Sequence, residues 1–60
     1  MERFVLSKGK EVVFITNNST DTFVDGVFMH TRSTLFGNAR RSTKAFLKAG
    51  YKLAAYGKLA

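Results

Sequence analysis

The sequence predicts a small α+β domain, an antiparallel sheet of three to four strands crossed by one packed amphipathic helix, in the order β-β-β-α-β. Three observations carry this reading. Up to His30 the apolar residues fall in short β-branched and aromatic runs separated by turn formers, and from Thr34 they recur at the longer period of a helix. The chain has 60 residues, which suffices for one domain, residues 1–60, and no more.

Arg3-Phe4-Val5-Leu6-Ser7 and Glu11-Val12-Val13-Phe14-Ile15-Thr16 read as paired strands, with Ser7-Lys8-Gly9-Lys10 as the turn between them. In the second, Val12 and Phe14 point to one face while Val13 and Ile15 point to the other, so the strand belongs in the middle of the sheet. Asn17-Asn18-Ser19-Thr20-Asp21 is a loop of turn formers. Thr22 to His30 is extended, and Asp25-Gly26 at its middle leaves two structures open. A tight type I′ hairpin has this dipeptide as its signature. One continuous strand bulged at Gly26 is favoured here, because three-residue arms make a weak hairpin.

Leu35, Ala39, Ser42, Phe46 and Ala49 then lie on one face of a helix over residues 35–49, with Arg41, Lys44 and Lys48 on the opposite face. Thr34 or Asn38 supplies the N-cap, and Gly50 stands where a helix ends in a left-handed residue. Tyr51 to Gly57 alternates as a last strand. The rival for this stretch is a single lysine-rich amphipathic helix over 45–59, opposed by Gly50 and Gly57. The expected core is Phe4, Leu6, Val12, Phe14, Val27, Leu35, Phe46 and Leu53.

With no cysteine there is neither a disulfide framework nor a thiolate metal site, and the usual staples of a mini-protein are missing. Stability then rests on local packing, self-association as a homo-oligomer, or a larger partner. The longest apolar run is Val12 to Ile15, far short of a membrane-spanning helix. Met-Glu-Arg-Phe at the start lacks the pattern of a secretory signal, so the expected location is cytoplasmic.

Charge is the most informative part of the composition. All four acids, Glu2, Glu11, Asp21 and Asp25, precede Gly26, whereas the rest of the chain holds seven bases and no acid, and the net charge is +6. A field of one sign on half of a small domain attracts polyanions or an acidic protein face. On the predicted elements, Arg40, Arg41, Lys44 and Lys48 occupy the solvent side of the helix, and Lys52, Tyr56 and Lys58 share one face of the last strand. Lys and Arg bind phosphates through charge and counterion release, and Tyr56 offers a ring for stacking on a base. No RNP, zinc-finger or helix-turn-helix signature accompanies them.

Residues Gly9 to Thr20, Gly-Lys-Glu-Val-Val-Phe-Ile-Thr-Asn-Asn-Ser-Thr, resemble the segment of haloacid-dehalogenase-type phosphatases in which a buried strand ends in Thr-Asn-Asn-Ser and holds a phosphate. The resemblance implies a phosphate-friendly loop without the reaction. Those enzymes carry an upstream Asp-x-Asp pair, and here Asp25-Gly26-Val27 looks like the tail of that motif but lies downstream, with Phe23 where the nucleophilic carboxylate belongs. The plainer reading of Asn17 to Thr20 is a polar turn.

His30 is the only histidine, and catalysis would need a partner near it such as Ser33 or Asp25. The residues therefore favour a non-enzymatic basic module without a cofactor or metal, contacting nucleic acid, DNA or RNA, through Arg40, Arg41, Lys44, Lys48, Lys52, Tyr56 and Lys58. The alternative is a protein-binding inhibitor or adaptor, of the kind common among short phage and mobile-element proteins, docking the same face on an acidic partner. Scattered Lys and Arg suit phosphate better than a protein hot spot, which prefers Trp, Tyr and Arg anchors.

Overall fold

A computed structural model describes residues 1–58. Five strands, β1 (Glu2–Lys8), β2 (Glu11–Ile15), β3 (Thr20–Val24), β4 (Val27–Arg32) and β5 (Lys52–Lys58), form one antiparallel sheet in the order β4-β3-β2-β1-β5. A 3-10 turn (Leu35–Gly37) and the helix α1 (Ala39–Lys48) are inserted between β4 and β5. The sheet thus has five strands where the sequence predicts three to four, and β2 is its middle strand as expected.

The added strand comes from Asp25-Gly26, which is a hairpin turn and not a bulge. Both residues have positive φ, 53° and 78°, as a type I′ turn requires, and Val24 pairs with Val27 across it. The arms are longer than the apolar pattern suggests, because β3 begins at Thr20 and β4 runs on to Arg32. Moreover β3 is hydrogen-bonded to β2 along its whole length, so the hairpin does not stand alone. Beyond its own chain neighbours nothing lies within 4 Å of a Cβ built on Gly26, so Gly26→Ala acts through backbone strain. That variant is expected to lose about 1 kcal/mol in urea denaturation, and an unchanged midpoint would contradict the turn type.

The two-residue loop Gly9-Lys10 pairs Lys8 with Glu11, which sets Leu6 opposite Val13 and Phe4 opposite Ile15. The core is accordingly Phe4, Leu6, Val13, Ile15 and Ala39, with Phe46 and Tyr51 packed against it. This corrects the expected core. Val12 and Phe14 lie on the opposite face of the sheet, while Val27, Leu35 and Leu53 are 61%, 52% and 52% exposed. Leu35 drops out because the helix starts at Ala39: Gly37 and Asn38 break the pattern, and residues 35–37 form the 3-10 turn instead.

Both ends of α1 are tied by specific groups. Asn38 Oδ1 accepts the Arg41 backbone N–H at 3.1 Å, and Asn17 Oδ1 accepts that of Ala39 at 2.8 Å. At the other end Gly50 (φ 100°) donates to the Leu47 carbonyl and Tyr51 to that of Phe46, which is a Schellman motif, with the Phe46 and Tyr51 rings 4.9 Å apart. Lys8 Nζ donates to the Ala49 carbonyl at 2.9 Å, a cation at the negative end of the helix. Ala39, Ser42 and Thr43 are buried under the helix, which lies over β1 and β2. None of the described helices is long and apolar enough to cross a membrane.

Candidate nucleic-acid interface

Arg41, Lys44 and Lys48 are exposed and fall within about 60° of one another around α1, since 3.6 residues make a turn. They span roughly 10 Å along its axis at 1.5 Å per residue. The helix itself contains no acidic residue. Among the described residues Arg41 alone of the three has a ring contact, its guanidinium lying 4.5 Å over the ring of Phe36. Phe36 is 61% exposed and has φ 63°, a left-handed conformation that a phenylalanine rarely adopts. No pattern in the sequence marks this ring and cation as a pair.

The other four predicted contact residues are placed differently. Arg40 makes a two-pronged ion pair with Glu2, Nε to Oε1 at 2.8 Å and Nη2 to Oε2 at 2.6 Å, and the Tyr56 hydroxyl donates to the same carboxylate. Tyr56 also packs on Phe4, ring centroids 5.0 Å apart, so its ring serves the sheet. Lys58 pairs with Glu2 in the strand register. Lys52 pairs with Ser7 and lies on the side of the sheet away from the helix, because an irregularity between the partners of Val5 and Leu6 shifts the alternation of β5. Lys52 therefore does not share a face with Tyr56 and Lys58.

Hydrogen bonds from Arg40 and then Tyr56 hold the Glu2 carboxyl down at about 2, against an ordinary value of 4.5. A carboxyl depressed in the folded state contributes stability above its unfolded value and loses it as pH falls towards the folded one. Stability is therefore expected to drop between pH 4.5 and about 2. Glu2→Gln should flatten that stretch of a plot of urea midpoint against pH, and identical profiles for the two proteins would show that the pair contributes nothing. Arg40 is 70% exposed, so solvent screens the interaction and its share of the drop is modest.

No protein-family model, curated protein or solved structure matches the chain. The local likeness of Gly9–Thr20 to a phosphatase segment has a structural use within this fold. Asn17 caps α1, and Thr16 closes its own loop through backbone and hydroxyl bonds to Ser19. His30 pairs with Thr22 on β3, and neither Ser33 nor Asp25 is its hydrogen-bond partner.

The face of the sheet away from the helix carries a feature that reading the basic residues missed. Phe14, Phe23 and Phe28, one from each of β2, β3 and β4, form a row with centroids 5.3 and 5.6 Å apart. Arg3 lies over Phe14 at 5.7 Å. The signal was present in β2, whose second apolar pair, Val12 and Phe14, has no helix to cover it.

Proposed function

We propose that the protein is a small non-enzymatic module that binds nucleic acid through its phosphates, using the outer face of α1. One observation carries this reading: Arg41, Lys44 and Lys48 form an exposed, acid-free stripe, and neither lysine has a hydrogen bond or ion pair among the described residues. A charge with a structural task would be paired, as Arg40 is with Glu2. The Arg41–Phe36 pair adds a guanidinium 4.5 Å over an exposed ring, a placement suited to a phosphate and to a neighbouring base. The contact set is thus narrower than the seven residues read from the sequence.

Binding of this kind is sequence-tolerant and salt-dependent. Three neutralised phosphates give log K against log salt a slope of about −2 to −3 on either single or double strands. Fluorescence anisotropy with labelled DNA and RNA, between about 50 and 200 mM salt, reads that slope directly. Absence of binding to every strand type at the low end would refute the proposal.

The second reading, an inhibitor or adaptor that binds a protein, is favoured by the phenylalanine row. Phenylalanine is enriched in protein interfaces relative to the rest of the surface, and this row lies on a sheet face that no helix covers. This partner would sit on the side opposite the helix. Phe23→Ala would abolish its binding, with little effect of salt on the dissociation rate.

A further inference from the structure

On the helix side of the sheet, α1 covers β1 and β2 and leaves the neighbouring part of β3 and β4 open, so that a cleft of about 380 Å³ runs between the helix and these strands. Its floor is built by strand register. Thr22 lies opposite His30 and Thr20 opposite Arg32, which places two hydroxyls, an imidazole and a guanidinium in one patch. Across the cleft is Ser42 on α1, with no exposed surface and with its Oγ lacking any hydrogen-bond partner.

The polar groups here are supplied in excess of what the fold uses. Arg32, His30 and Thr22 have no side-chain hydrogen bond or ion pair among the described residues, and the Thr20 hydroxyl shares a bond only with Thr34. The single carboxylate on the lining, Glu11, already accepts the Tyr51 hydroxyl. Arg32, His30 and Thr22 can each donate a hydrogen bond, and Arg32 carries a fixed positive charge unpaired among the described residues, so the ligand is an anion. A guanidinium, an imidazole and a hydroxyl side by side offer more donors than the two oxygens of a carboxylate can use, and the three terminal oxygens of a phosphomonoester match them better. The apolar wall, Phe46 with Leu35, accepts a flat ring beside that anion.

We infer that this cleft binds a phosphomonoester attached to a ring-bearing body, the chemistry of a nucleoside monophosphate. Arg32 and His30 hold the phosphoryl oxygens, the Thr22 hydroxyl completes their hydrogen bonds, and the base or sugar rests on Phe46. Two sources offer this group, a free nucleotide and the phosphorylated end of a strand. The site uses none of the residues of the outer helix stripe, so it stands apart from the proposal above.

The test is a titration of the full chain followed by backbone amide chemical shifts, with adenosine 5′-monophosphate, phenyl phosphate and benzoate as probes. Both phosphates are expected to bind at millimolar concentrations or below, shifting Thr20, Thr22, His30 and Ser42, with benzoate much weaker. Arg32→Gln should weaken binding at least tenfold, the size of a lost charge-assisted hydrogen bond. Thr22→Val should weaken it severalfold with little change in melting temperature, because the Thr22 hydroxyl has no hydrogen-bond partner among the described residues. Short oligonucleotides with and without a 5′-phosphate identify the source: a preference for the phosphorylated end that Arg32→Gln abolishes assigns the site to strand ends, and an Arg32-dependent preference for the free nucleotide assigns it to nucleotides. The inference is overturned if neither phosphate binds, if benzoate binds equally well, or if the shifts fall on Arg41, Lys44 and Lys48. That last outcome would leave the helix-stripe proposal intact.

Discussion

Leu6→Ala is expected to leave the chain largely unfolded at room temperature. Leu6 has no exposed surface and sits among Phe4, Val13, Ile15 and Ala39, which with it make up the buried apolar core of the described residues. Truncating such a leucine costs about 2 to 5 kcal/mol through lost transfer energy and the cavity left behind. A domain of this size has only about 3 to 9 kcal/mol in total. No disulfide supplements it. Val12→Ala is the matched control: its side chain is half-buried on the other face of the same hairpin, so about 1 kcal/mol is at stake. Urea denaturation followed by far-ultraviolet circular dichroism compares the two. Equal midpoints would mean that the helix does not cover the Leu6 face.

The second large effect concerns binding. Changing Arg41, Lys44 and Lys48 together to Gln should reduce nucleic-acid affinity about a hundredfold or more at 50 mM salt and bring the salt slope close to zero. Stability should hold, since exposed substitutions usually change it by about 0.5 kcal/mol or less each. Removing the repulsion between Lys44 and Lys48, one helical turn apart, offsets part of even that. Lys52→Gln controls for net charge: it removes one positive charge from the opposite side of the sheet and should leave the slope nearly unchanged. A triple variant that keeps both affinity and slope would move the interface elsewhere, and the row of Phe14, Phe23 and Phe28 is where a protein partner would then be sought.

Much of this fold was legible in residue order. The first hairpin, the central place of β2, the Gly50 terminator and the last strand all follow from turn chemistry and periodicity, which act over a few neighbouring residues, and of the two caps these left open, Thr34 and Asn38, the fold uses Asn38. The basic stripe was legible too, because helical periodicity alone places Arg41, Lys44 and Lys48 on one face. Arg40 was not separable from it, since its partner Glu2 lies far away in sequence and meets it only when β1 packs under the helix.

The sequence by itself determined the fold class, with extended segments before one helix and a strand after it, and that half the chain is basic, because local propensity and composition need no knowledge of what packs where. Only the tertiary structure decided how those charges and rings are used. Whether Asp25-Gly26 bends a strand or closes a hairpin depended on β2 offering β3 a partner, an energy absent from the nine residues themselves. Which face of β2 is core depended on the one side of the sheet that a single short helix can cover, and one helix cannot cover both. The same shortage of cover left Phe14, Phe23 and Phe28 open on one side and the Thr22, His30, Arg32 and Ser42 cleft on the other. Surface left over after packing is a property of the whole assembly, and no window of sequence contains it.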